Sequence, residues 1–86
     1  MKLREIAEKI PPEYRKEILE LNLIRSARAN AADEAMHYLS TIWKNYLDPQ
    51  VDTMCNVCCE RLLKNFREIE KELIEIEKEE KLLGSV

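Results

Sequence analysis

The C-terminal part of the chain constrains the fold most strongly, because a heptad pattern of apolar residues runs from Cys55 to Leu83 without a glycine or a proline. One half of this pattern recurs every seven residues and comprises Cys55, Leu62, Ile69, Ile76 and Leu83. The other half comprises Cys59, Phe66, Leu73 and, as a polar member near the end, Glu80. Such a repeat predicts one long helix that buries a single face against other helices, as in a coiled coil.

Two further helices are predicted before this segment. Apolar residues at spacings of three and four indicate a short helix over residues 2–10, which the following prolines end. Pro12 suits the first position of a second helix, and apolar residues continue at helical spacing up to residue 47. Ser26 and Asn30 are weak helix formers that could bend this helix. We nevertheless expect one continuous helix over residues 12–47.

The second and third helices are separated only by Asp48 and Pro49. Asp48 can cap a helix N-terminus and Pro49 suits its first position, so the third helix is expected over residues 49–83. A connection this short predicts a long antiparallel helical hairpin, preceded by the short N-terminal helix. The fold class is therefore expected to be all-α, with residues 1–86 forming one small domain.

The hairpin predicts how its two helices would pack. With its turn at Asp48 and Pro49, Phe66 faces an alanine-rich tract between Ala27 and Ala35. Large side chains opposite small ones fill an interface without voids, so we interpret these alanines as a close helix crossing.

Apolar residues that lie off the hairpin seam call for a further partner. A two-fold dimer that forms a four-helix bundle would cover them, and we therefore predict a homodimer. Tyr38, Trp43 and Tyr46 near the turn, with Met36 and Met54 close to them, form a further candidate contact. The simpler interpretation is that they cap the core where the hairpin closes. The predicted interface residues are Leu19, Leu23, Val57, Leu63, Ile74, Trp43 and Tyr46.

The three cysteines lie within five residues, so they cannot link distant parts of the fold by disulfides. Cys55, Cys58 and Cys59 are placed on neighbouring helix faces, and the hairpin register brings His37 opposite them. Thiolates and an imidazole suit zinc, and these four residues are the candidate metal ligands. Buried free thiols are the favoured interpretation, and no other cofactor is expected. A redox role for the Cys-x-x-Cys pair is weaker, because no βαβ pattern accompanies it.

Charge does not indicate a polyanionic partner. The chain has 14 basic and 17 acidic residues and a net charge of −3. Arg61, Lys64 and Arg67 form a row that could meet phosphates, but glutamates interleave with them, which is typical of a solvated helix face. The sequence therefore argues against nucleic-acid binding. It also contains no apolar run long enough for a membrane span, and we expect a cytoplasmic protein.

Catalytic motifs are not evident. Gly84 is the only glycine, so a glycine-rich phosphate loop is excluded, and no hydrolase triad is readable. The sequence therefore predicts a small cytosolic helical module for protein–protein interaction, an adaptor, regulator or inhibitor that binds itself and a second, unidentified protein. The alternatives are a small zinc-binding helical protein and a nucleic-acid-associated regulator. An enzyme is not expected.

Overall fold

The chain folds into helices connected by short loops, and its class is all-α as expected. The computed structural model describes residues 2–84, with side chains described through residue 82. These residues contain no strand, and none of their helices is long and apolar enough to cross a membrane. In chain order the helices are α1 (Leu3–Lys9), α2 (Pro12–Glu20), α3 (Leu23–Ser26), α4 (Glu34–Tyr46) and α5 (Asn56–Gly84).

Helix α5 is the element against which all four others pack. Phe66 is fully buried near its middle, and the Trp43 ring of α4 meets the Phe66 ring edge-on with 5.2 Å between centroids. The predicted heptad pattern is confirmed by burial at six of its nine positions. Of the other three, Cys55 is half-buried, Glu80 is exposed, and the Leu83 side chain lies outside the described residues. The buried residues of α5 are Cys59, Leu62, Leu63, Phe66, Ile69, Leu73 and Ile76.

The prediction of one continuous helix over residues 12–47 is wrong. Asn22 adopts the left-handed conformation, with φ of 54°, and so ends the path of α2. Asparagine tolerates this conformation better than most residues. The Ser26 hydroxyl then donates to the carbonyl of Asn22 at 2.9 Å, a local bond that competes with helix propagation, and α3 ends there.

Residues 27–33 form a loop in place of the predicted close helix crossing. Side-chain oxygens hold its backbone: Asn30 Oδ1 accepts from the Ala32 N–H at 2.8 Å, and Asp33 Oδ2 accepts from the N–H of Met36 at 3.0 Å. The second bond makes Asp33 the N-cap of α4. The loop is also tied to α5, because the Ala31 N–H donates to Asn56 Oδ1 at 2.9 Å.

The third helix begins at Asn56, seven residues later than predicted. Asp48 accepts from the Gln50 N–H at 3.0 Å, and Asp52 accepts from the Met54 N–H at 2.8 Å. Both carboxylates therefore close turns within the loop 47–55, and neither caps α5.

The hairpin is consequently not formed by two long helices. Helices α2 and α3 instead run antiparallel to the C-terminal half of α5. Arg15 of α2 pairs with Glu80 at 2.7 Å, and Arg25 of α3 pairs with Glu70 at 3.7 Å.

Arg15 joins three helices. Its side chain is only 8% exposed, and its guanidinium donates to the Ile10 carbonyl at the end of α1 at 2.7 Å and to Glu80 of α5. The carbonyl of Ile10 thereby gains a partner where α1 has ended. Burying this cation is favourable only because both groups remain paired with it.

Replacing Arg15 should therefore cost more than removing its charged partner. We expect Arg15→Ala to destabilise the protein by roughly 2 to 3 kcal/mol, because it leaves the Ile10 carbonyl unpaired and opens a gap. Glu80→Gln should cost less than about 1 kcal/mol, because the Glu80 side chain is 43% exposed. Urea unfolding followed by circular dichroism measures both values. Equal costs would show that the ion pair, and not the bond to α1, dominates.

The N-cap of α4 should produce a measurable pH dependence. Hydrogen bonds from the backbone N–H groups of Arg28 and Met36 lower the pKa of Asp33. The charge of Asp33 therefore contributes its full stabilisation above the pKa of an aspartate in the unfolded chain, about 3.9. That contribution is lost as the pH falls through the lower pKa of Asp33 in the folded protein. We expect Asp33→Asn to melt about 2 to 4 °C below the natural protein at neutral pH and at the same temperature in acid.

Asp33→Ala provides the control, since it removes the capping oxygen as well as the charge. Its melting temperature should stay below that of the natural protein at every pH at which both unfold cooperatively. A deficit of Asp33→Asn that persists unchanged in acid would contradict a charge-dependent cap.

Candidate functional sites

Two thiols and a carboxylate meet at the N-terminal end of α5. One ligand atom from each of Asp52, Cys55 and Cys58 lies within 4.8 Å of the other two. Cys55 directly precedes the first residue of α5, and its carbonyl accepts from the Cys59 N–H at 2.9 Å. Cys58 follows three residues later, which places both sulfurs on the same side of the helix start. We refer to Asp52, Cys55 and Cys58 as the acid–thiol cluster.

The thiols differ in acidity. The pKa of Cys55 is lowered by its hydrogen bond with the Cys58 thiol and by the Cys58 backbone N–H, whose nitrogen lies 3.4 Å from the Cys55 sulfur. The same contact, followed by partial burial, raises the pKa of Cys58. Burial raises the pKa of Cys59. Cys55 is therefore the thiol that most readily becomes a thiolate.

The structure does not gather the four predicted zinc ligands in one place. Cys59 is fully buried in the core, and His37 is exposed on α4. Within the described residues, neither belongs to the group whose ligand atoms converge. Only Cys55 and Cys58 of the predicted set come together, and Asp52 joins them.

A shallow depression of about 350 Å³ opens beside the acid–thiol cluster. Asp52 and Cys58 line it together with Asp48, Arg61 and Asn65. The cluster is thus reached from solvent through an opening that contains both an additional carboxylate and a cation and whose remaining lining includes Trp43, Val51 and Leu62.

A second candidate site is an apolar surface on α4 and the adjoining loops, which we call the α4 surface. It consists of two depressions that share Glu34 and Tyr38. Leu21, 59% exposed, borders one depression, and Met54, 74% exposed, borders the other. Glu34 is the single carboxylate among the described lining residues. The others are Leu23, Ala31, Ala32, Ala35, His37 and Thr41.

Tyr38 has a fixed orientation in the α4 surface. Its hydroxyl donates to Glu17 of α2 at 2.5 Å. This hydrogen bond, with a smaller effect of burial, raises the pKa of Tyr38 to about 12. The phenol is therefore neutral at physiological pH and remains a hydrogen-bond donor, so the ring is held between α2 and α4.

The predicted interface residues do not form one surface. Leu23 belongs to the α4 surface, and Leu63 is buried in the core. Leu19 and Ile74 lie in a groove between α2 and α5. Seven of the ten residues lining this groove are charged, namely Lys16, Glu20, Arg25, Glu70, Glu77, Lys78 and Lys81.

The remaining predicted interface residues differ in exposure. Trp43 is half-buried and packs on Phe66 against the edge of the core. Tyr46 is 39% exposed and lies against Tyr14, with 5.5 Å between ring centroids. Val57 is exposed in the first turn of α5.

The basic row of α5 is exposed, as expected for a solvated face. Lys64 and Arg67 line a depression with Arg28 from the loop after α3, and Glu60 lines it as well. Arg61 lies instead beside the acid–thiol cluster.

Sequence reasoning missed Asp52 and Leu21 as site residues. A signal existed for Asp52, because it precedes Cys55 by three residues and so continues the spacing of the two thiols. The exposure of Leu21 depends on the left-handed Asn22 that follows it. No periodicity in the sequence distinguishes such a residue from a helical core position.

Thiol reactivity should follow acidity and exposure. We expect iodoacetamide to modify Cys55 first, then Cys58, and Cys59 at least about tenfold more slowly than Cys55, because Cys59 is fully buried with a raised pKa. Peptide mass spectrometry at increasing reaction times measures the order, and labelling in urea is the control in which the three rates should converge. Early modification of Cys59 in the folded protein would contradict this assignment.

Known proteins do not identify either site. No family model matches the chain, and no curated protein or solved structure matches it.

Proposed function

We propose that this protein is a non-catalytic helical interaction module that self-associates through the α4 surface and regulates or links a second protein. The main support for the proposal is that two large apolar side chains are exposed on one apolar surface, Leu21 at one of its depressions and Met54 at the other. Large exposed side chains grouped around depressions are typical of protein-binding surfaces, and methionine and aromatic residues are enriched there.

The α4 surface suits an apolar partner better than the groove between α2 and α5 does. The groove contains Leu19 and Ile74, but charged residues form most of its lining. A partner that covered it would have to desolvate both signs of charge, which costs free energy unless each is paired again. On the α4 surface, Glu34 is the single carboxylate among the described lining residues.

A second copy of the chain is the partner that the shape favours. A two-fold interface requires a surface that is complementary to itself. The α4 surface carries protruding side chains and depressions together, so Leu21 of one copy can occupy the depression beside Met54 of the other. In this form of the expected four-helix bundle, α4 of each copy lies at the contact with α5 behind it.

The proposed location of this module is the cytoplasm, as expected from the sequence.

One cluster of basic side chains supports the nucleic-acid alternative. Arg28, Lys64 and Arg67 surround a single depression, which a phosphate could enter. Glu60 lies in the same depression, and the net charge of −3 opposes association with a polyanion. A gel shift of DNA or RNA that weakens with salt, and that Lys64→Glu abolishes, would favour this alternative.

Self-association is tested by a charge placed in the α4 surface. We expect the natural protein to have twice the mass of one chain by light scattering at micromolar concentration. Leu21→Lys should weaken dimerisation at least about tenfold, because a lysine would be desolvated at the contact. Since Leu21 is exposed in the single chain, the substitution should change the free energy of unfolding of the monomer by less than about 0.5 kcal/mol.

Leu82→Lys is the matched control, because Leu82 is 73% exposed and lies near the C-terminal end of α5, outside the α4 surface. It introduces the same charge without touching the α4 surface and should remain dimeric. A monomeric natural protein would disprove self-association. Equal effects of the two substitutions would place the contact elsewhere.

A further inference from the structure

The acid–thiol cluster has the donor chemistry of a metal site. It presents two sulfurs and a carboxylate, whose ligand atoms all lie within 4.8 Å of one another. In a tetrahedral zinc site with bonds of about 2.3 Å, neighbouring ligands are about 3.8 Å apart. The three atoms therefore need to move inward by less than about 1 Å each to surround one ion.

The local backbone prepares these side chains for that role. Because α5 begins at Asn56, the Cys58 N–H is directed at the Cys55 sulfur, with N and S 3.4 Å apart. A hydrogen bond of this kind orients a ligating sulfur and stabilises its thiolate. Asp52 Oδ1 accepts from the Met54 N–H at 2.8 Å, and within residues 2–84 the second oxygen, Oδ2, accepts no hydrogen bond. That oxygen is available to an ion.

We propose that Asp52, Cys55 and Cys58 bind one zinc-class divalent cation, with a fourth position open to water through the adjoining depression. This ligand set differs from the one expected from the sequence, since Asp52 replaces Cys59 and His37. The proposal does not require self-association, because none of the three residues lines the α4 surface.

Ligand softness selects the class of metal. Thiolates favour zinc and similar borderline ions over magnesium and calcium, which take oxygen ligands. Binding converts two thiols into thiolates and releases two protons to solvent, so affinity should rise with pH. The bound ion and its three anionic ligands together carry one net negative charge. Arg61, in the lining of the depression, partly compensates it.

Cobalt(II) is the most direct probe, because it occupies zinc sites and gives a thiolate-to-metal charge-transfer band and intense visible bands when tetrahedral. We expect the protein, kept reduced with a phosphine, to bind one cobalt ion with these bands, and zinc to displace it. Cys55→Ser and Cys58→Ser should each lower the affinity at least about 100-fold, since each removes a direct ligand. Asp52→Asn should weaken binding less and retain the thiolate band.

Cys59→Ser is the matched control, because it makes the same substitution one residue from Cys58 at a thiol outside the cluster. Cys59→Ser and His37→Ala should both leave the spectrum and the affinity unchanged. Circular dichroism identifies any cysteine variant that fails to fold, and Asp52→Asn, at an exposed position, tests the site even then. Absence of the charge-transfer band, its retention in Cys55→Ser, an unchanged affinity in Asp52→Asn, or an equal loss in Cys59→Ser would each overturn the proposal.

Discussion

Burial of one face of α5 is the constraint on which the rest of the fold depends. The four other helices have between 4 and 13 residues, and isolated helices of such lengths are marginal in water. Each becomes stable by packing on part of the buried face of α5, which has Phe66 near its centre. Fully burying a side chain of this size contributes roughly 1.5 to 3 kcal/mol, more than the bonds that cap any of the short helices. Capping and ion pairing then determine where each helix ends.

The part of the fold that could be predicted is the part determined by periodicity. Apolar residues at heptad spacing identified the buried face of α5, and Pro12 identified the start of α2. The break after α2 was missed, and the break after α3 was considered only as a bend at Ser26 and Asn30, because alanine and leucine favour helix over most of residues 12–47. What ends the helices is a left-handed Asn22 and a loop tied to Asn56 of α5. The hydrogen bond that ties the loop to Asn56 joins residues 25 positions apart in the chain, so local helix propensities cannot predict it.

The position of the start of α5 also decides how the cysteines are interpreted. If a helix began at Pro49, Cys55 would lie in its interior, where the Cys58 N–H would bond to the backbone carbonyl one turn earlier. The thiols would then resemble small buried hydrophobes, as predicted, and Cys59 does have that role. With the helix beginning at Asn56, the Cys58 N–H is directed at the Cys55 sulfur. The same residues thus change from core to candidate ligands through a shift of two helical turns.

The two candidate sites are connected through the loop 47–55. Met54, which borders the α4 surface, lies between Asp52 and Cys55 in the chain and donates its backbone N–H to Asp52. An ion held by the acid–thiol cluster would fix the residues on both sides of Met54 and so reduce the conformational entropy that a contact through its side chain must overcome. Such coupling would be reciprocal, so that association through the α4 surface would tighten ion binding by the same factor. The physical link is a single short turn, and its stiffness sets the size of the effect.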